Sequence, residues 1–377
     1  MSYPIAERPL WVPDAGRIAA ANITAFARKA ESRWGRSLPD YAALHAWSVG
    51  EPAEFWTSVW EFGEVRGSMG RVVLEDGDCM PGARWFPEAS LNFAENLLRS
   101  RDDTDAMVFW GEDRVKNRLS HGDLYRQVAH FAAALQEQGV VAGDRVAAYM
   151  PNMPDTIVVM LAAASLGAIF SSASPDFGVQ GVLDRFGQIE PKVLVAVDGY
   201  YYNGKIIDCL DRLAAITDGL PSVKRVVVVP YVHAHHDISH VHHARMLADF
   251  VQPFHNETEI PFVRLPFAHP LYIMYSSGTT GVPKCIVHCA GGVLLQHLKE
   301  LRLHGDVKPG DKLFYFTTCG WMMWNWLASG LATGATLLLY DGSPMIGDGA
   351  ILFDYAHAEG TTHFGTSAKF IDGIAKA

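Results

Sequence analysis

Between residues 120 and 138, apolar side chains fall at Leu124, Val128, Phe131 and Leu135, a helical spacing that stops at Gly139. A left-handed residue there would close the helix. Residues 145–150 read as a strand, and Pro154 then stands where a first helical turn accepts proline. That helix extends to about Leu166; Gly167 ends it, and residues 168–173 form the next strand. Residues 192–197 and 225–229 are short Val-rich runs suited to buried parallel strands. A second block repeats the rhythm: strand 272–275, helix 291–303, strand 313–317, helix 324–333 closed by Gly334, strand 336–340. The passages at Gly167-Ala168 and Gly334-Ala335 have the same helix–Gly-Ala–strand form. Alternation on this scale predicts a layered α/β fold.

The first hundred residues lack that rhythm. Trp47, Phe55, Trp56, Trp60, Phe62, Trp85 and Phe86 are spaced as helical turns and anchor points, which predicts a helical, aromatic cap over 1–105. The α/β pattern then divides into a first subdomain over 106–250 and a second over 251–377.

Composition narrows the class. Of 377 residues 49% are hydrophobic and 19% charged, an ordinary globular balance with a generous core. The net charge of −10 comes with no basic run, so no nucleic-acid footprint is expected and anionic substrates must be held by local groups. Residues 156–175 carry no charge, but Gly167 breaks the stretch and its second half contains Ser171, Ser172 and Ser174, so a helix feeding a buried strand is expected and not a membrane span. The polar, proline-marked start has no apolar signal region, and the five cysteines form no even framework. Both features point to the cytoplasm.

The strongest chemical signal is YSSGTTGVPK at 275–284, directly after an apolar strand. Gly278 and Gly281 let the backbone turn tightly and expose consecutive N–H groups, which bind anions. Ser276, Ser277, Thr279 and Thr280 add hydroxyl donors, and Lys284 adds a point charge. The order differs from the Walker loop, which places four residues between its glycines before Gly-Lys-Ser/Thr, and from the dinucleotide fingerprint. A Ser/Thr/Gly linker is the bland alternative; the fixed Pro-Lys ending and the strand in front favour phosphate binding.

This motif resembles the phosphate-binding loop of the adenylate-forming acyl-CoA synthetase superfamily. Further segments are similar to the acetoacetate-activating branch of that family: FWTSVWEF at 55–62, SPDFG at 174–178, LDRFGQIEPK at 183–192, GWMMWNW at 320–326 and YDGSP at 340–344. The resemblance runs along nearly the whole chain and implies the family's large N-terminal α/β domain, incomplete at its C-terminus, with the C-terminal lid domain absent. It implies ATP, Mg²⁺ and CoA as cofactors and acetoacetate as the acid. Acetate- or propionate-activating relatives share the architecture, and a non-catalytic nucleotide-binding fragment is the reading outside enzymes. In the implied chemistry a carboxylate attacks the α-phosphate of ATP, and the CoA thiol then attacks the acyl-adenylate. Catalysis is by positioning and charge stabilisation, with Thr279 and Lys284 as its residues here. By the same resemblance Trp321 and Met322 border the acyl pocket. Lys205 stands where relatives place a basic residue against CoA, although Tyr202 replaces an arginine of the acetate-activating relatives.

Two clusters invite metal readings. Residues 233–243 hold six histidines, but without cysteines and at a linker position, where a solvated loop is favoured. Cys285, His288 and Cys289, with Cys319, have some of the spacing of a zinc site, yet the run continues out of the glycine loop as a strand, where cysteine behaves as a small hydrophobe. No metal ligand is therefore assigned.

Overall fold

The computed structural model describes residue 9 and residues 11–233, 237–276 and 281–376. The first hundred residues hold α1 (Ala15–Ala20), α2 (Asn22–Trp34), α3 (Tyr41–Gly50) and α4 (Pro52–Phe62). Phe26 on α2 gathers Trp47, Phe55 and Phe62 around it at ring-centroid distances of 6.4, 5.8 and 5.5 Å. Trp60 meets Phe86 at 5.3 Å and Phe86 meets Phe267 at 5.0 Å, which ties α4 to the segment before the glycine loop. Such aromatic pairs bury large areas, and Phe26, Trp47, Trp60 and Phe86 belong to the same buried core as the strands and helices that follow. A short helix, α5 (Phe93–Leu97), follows.

Two sheets organise the rest. The strands are β1 (Asp105–Gly111), β2 (Val115–Ser120), β3 (Arg145–Tyr149), β4 (Ile169–Ala173), β5 (Val193–Val197), β6 (Gly199–Tyr202), β7 (Lys205–Asp208), β8 (Arg225–Val229), β9 (Ala244–Met246), β10 (Pro270–Ser276), β11 (Lys284–Cys289), β12 (Lys312–Tyr315), β13 (Thr336–Asp341) and β14 (His363–Gly365). The seven-stranded sheet runs β9-β8-β5-β3-β4-β10-β11. It is parallel except for β11, which returns antiparallel on β10. The five-stranded sheet runs β14-β12-β13-β1-β2, with only β2 antiparallel. The sheets cut across the division at residue 250: β1 and β2 join the smaller sheet, while β10 and β11 join the larger. Pairing decides this, because β10 hydrogen-bonds beside β4 and β1 beside β13.

Helices α6 (His121–Glu137) and α7 (Pro154–Ser165) fill the layer between. Helix α7 packs on β3 and β4, and α6 packs on α7 and reaches β1 and β2. Every residue of α7 except Asp155 is buried, which accounts for the uncharged run. Among the described residues no helix is long and apolar enough to cross a membrane. Ser120 caps α6 by accepting from the Asp123 N–H at 3.0 Å. Gly167 and Gly334 both take left-handed backbones after their helices, at φ +77° and +79°. Helices α8 (Val179–Ile189), α9 (Leu210–Asp218) and α10 (Leu247–Val251) complete the first half. In the second half α11 (Ala290–Leu298) continues as a π-helical turn over Lys299–His304, and α12 (Met322–Ala328) continues as a 3₁₀ turn to Thr333.

Candidate active site

Strand β10 carries Tyr275 and Ser276 to the C-terminal edge of the larger sheet, where α/β ligands gather. Strand β11 starts at Lys284, and Ser276 and Lys284 are register partners. Of the expected phosphate contacts, Ser276, Gly281 and Lys284 are described; Ser277, Gly278, Thr279 and Thr280 lie outside the described residues. Gly281 has φ +98°, a backbone that a side chain would strain. Lys284 is exposed and has no carboxylate partner among the described residues. Behind the hairpin, Ser171 Oγ lies 2.9 Å from the Ile273 carbonyl and 3.0 Å from the Tyr275 hydroxyl. Burial pushes the Tyr275 phenol up from its ordinary value, so it remains a neutral hydrogen-bonding group.

The 318–321 turn sits against the end of β4. Ser172 Oγ donates to the Cys319 carbonyl at 2.7 Å, and a Cβ on Gly320 would stand 3.3 Å from the Phe177 ring. The three tryptophans that follow separate. Trp321 precedes α12 and is 70% exposed, with Met322 beside it at 44%. Trp324 is fully buried, stacks 6.0 Å from Phe170 and donates from Nε1 to Asn152 Oδ1 at 3.0 Å. Trp326 packs on Tyr315 and edges an open groove of roughly 680 Å³ shared with Ile286, Val287, His288, Met322 and Met323. The groove thus joins β11, just past the glycine loop, to the start of α12. Inside it His297 is driven down to about 4 by burial, its Nδ1 2.7 Å from Ser329 Oγ.

Lys205 lies elsewhere, on the β6–β7 hairpin, exposed and paired in register with Tyr202. Its tether is Glu112, which sequence reasoning missed. Glu112 is fully buried and accepts from the Gly204 N–H at 3.0 Å and the Ser343 N–H at 3.1 Å. Beside it Asp341, at the end of β13, accepts from the Tyr231 hydroxyl at 3.0 Å. Burial, reinforced by the nearby Glu112 and Asp176, pushes its carboxyl up to about 7. Asp341 and Ser343 lie in the 340–344 segment that carries the resemblance, but nothing local marks Glu112, which meets them through the pairing of β1 with β13.

The histidine run lies against acids: His233, His240 and His242 approach Asp208, Asp211 and Asp218 at 3.2, 3.6 and 3.6 Å. His235 and His236 lie outside the described residues. Cys319 is buried with its thiol on the Pro151 carbonyl, whereas Cys285 is exposed on β11 beside Gln188. Among the described residues no group of three or more His, Cys, Asp or Glu could hold a metal ion.

A parallel sheet whose edge hairpin carries a glycine- and hydroxyl-rich connection agrees with the family model that the chain matches. Residues 93–377 match the AMP-binding enzyme family, and the chain belongs to that family; residues 41–97 match the acetyl-coenzyme A synthetase N-terminus. The chain is 57% identical to acetoacetyl-coenzyme A synthetase of Rhizobium meliloti (strain 1021), covering 98% of this chain and 57% of that protein. It is 44% identical to acetoacetyl-CoA synthetase of Danio rerio, covering 96% and 55%. The solved acetoacetyl-CoA synthetase from Streptomyces lividans superposes with a TM-score of 0.92 at 44% identity, over 98% of this chain and 57% of that one. The chain therefore spans a little over half the length of these relatives.

Proposed function

We propose that this chain carries the phosphate- and acid-binding part of an acid–thiol ligase that converts acetoacetate, ATP and CoA to acetoacetyl-CoA, AMP and pyrophosphate. The 57% identity to a relative named for that product, over 98% of the chain, carries the reading. In the first step an acetoacetate carboxylate oxygen bonds to the α-phosphorus of ATP, and pyrophosphate leaves with the broken P–O electron pair. In the second the CoA sulfur bonds to the acyl carbon, the thiol proton passes to solvent, and AMP departs. Neither step requires a protein nucleophile, so the chain's part is to hold and orient charge.

Ser276, Ser277, Thr279 and Thr280, the N–H groups of Gly278 and Gly281, and Lys284 hold the phosphates of ATP, which arrives with its Mg²⁺. Trp321 and Met322 wall the acid, and Lys205 meets CoA. The reading extends to the cytoplasm: all five cysteines are free, as suits a reducing compartment.

The test is acid-dependent ATP–pyrophosphate exchange by this chain, comparing acetoacetate with acetate and propionate. Exchange highest with acetoacetate is expected. Higher exchange with acetate or propionate would keep the mechanism and replace the acid, and no exchange by a folded sample would reduce the chain to a nucleotide-binding part. Lys284→Ala should abolish most of the exchange and leave the unfolding midpoint near wild type, since Lys284 is exposed. Unchanged exchange in that variant would remove the phosphate role from this loop.

A further inference from the structure

Helix α8 lies along the glycine hairpin and touches both of its ends. Gly181, Arg185 and Gln188 fall at i, i+4 and i+7, which places them on one helix face. Gln188 Nε2 donates to the Pro283 carbonyl at 2.8 Å, immediately before Lys284. One turn earlier, the Arg185 guanidinium carbon stands 5.8 Å from the centroid of the Tyr275 ring, immediately before Ser276, and 4.3 Å from that of Phe177. The same face therefore flanks the entry and the exit of the connection that Ser276 and Lys284 close.

Arg185 is half-buried. Its one hydrogen bond among the described residues runs from Nη1 to the Gly181 carbonyl at 2.7 Å, and it has no carboxylate partner there. The acid next to it, Asp184, is engaged by Gln180 Nε2 at 2.6 Å. A guanidinium carries five N–H donors in a fixed fork, so most of those of Arg185 have no partner among the described residues. Two aromatic faces hold the group in place and take away part of its hydration. In a chain of net charge −10, a cation with no carboxylate partner among the described residues, set on aromatic rings beside the hairpin that Ser276 and Lys284 close, fits an anion that arrives with the substrate. The fork matches two phosphate oxygens at once, which an ammonium does not.

We propose that Arg185 is a second cation of this phosphate site, contacting the phosphate tail of a nucleoside triphosphate, or free pyrophosphate, from the α8 side while Lys284 does so from β11. The inference rests on the phosphate reading of residues 276–284. Inorganic pyrophosphate is titrated into this chain by calorimetry for the wild type, Arg185→Gln and Lys284→Ala. Both variants should weaken binding, Arg185→Gln by about tenfold, as expected for loss of a charge-assisted hydrogen bond. Weakening by Lys284→Ala alone would overturn the role of Arg185 and leave the phosphate site standing. No pyrophosphate binding by the folded wild type, or no change in either variant, would overturn the phosphate site and this inference together. A second measurement needs no substitution: phenylglyoxal modification of Arg185, mapped by peptide mass spectrometry on the native chain, should slow when pyrophosphate is present. An unchanged rate at saturating pyrophosphate would show that Arg185 merely packs on its two rings.

Discussion

Trp324 is fully buried against Phe170 with its Nε1 bonded to Asn152, while Trp321, three residues earlier, is 70% exposed above the groove beside β11. The two should therefore fail differently. Trp324→Ala opens a cavity and orphans a buried amide, and is expected to cost about 3–5 kcal/mol in urea unfolding. Trp321→Gly should shift stability by no more than about 0.5 kcal/mol, yet broaden the exchange reaction toward longer acids. An unchanged acid profile would free Trp321 of any pocket role. The repeated tryptophans of 320–326 were legible as a group, because aromatic residues after a strand must pack on something. Which of them faces β4 was not legible, since that depends on the rotation of α12 fixed by the Ser172–Cys319 contact. Arg185 illustrates the same limit: its segment carries a resemblance, but its place beside Tyr275 follows from how α8 lies on the hairpin.

Helix ends and parallel strands were the most legible elements, since Pro154, Gly167 and Gly334 act through their own backbones. Partnership between strands was not, and it is what exchanges β1–β2 and β10–β11 between the sheets. Glu112 is a product of that exchange. It adopts φ +50°, uncommon for a side-chain-bearing residue, and there it bridges the β6–β7 turn and the residues after β13. Glu112→Ala should leave two backbone N–H groups unpaired and destabilise the chain by about 2–4 kcal/mol. Amide exchange should quicken at 199–208 and 341–344 ahead of the strands of the central sheet. Uniform quickening throughout would mean that Glu112 supports the fold as a whole and does not specifically hold the hairpin bearing Lys205.

At the scale of the whole molecule, two buried titratable groups set opposing limits on stability. Asp341 is pushed from 3.8 up to about 7, chiefly by burial, despite the opposing hydrogen bond from Tyr231. The folded chain thus holds a proton that the unfolded chain has lost, and stability falls as pH rises from about 4 to about 7. His297 is lowered from 6.5 to about 4, by burial and then by neighbouring His288. There the unfolded chain binds the proton first, so stability falls as pH drops from 6.5 toward 4. Each effect is bounded at about 3–4 kcal/mol by the size of the shift, with roughly half of that expected to be realised. Asp341→Asn keeps an acceptor for Tyr231 and removes the charge, so its stability gain over wild type should be largest at about pH 8 and fall to less than half of that by about pH 5. His297→Asn should behave in the opposite sense, improving relative to wild type as the pH falls from about 7 to about 5. Urea unfolding of the three proteins at those pH values separates the contributions. A constant difference between Asp341→Asn and wild type across the range would mean that the carboxylate is already ionised in the fold, compensated by Tyr231 and by water, and that the acidic group at the end of β13 places no alkaline limit on the molecule.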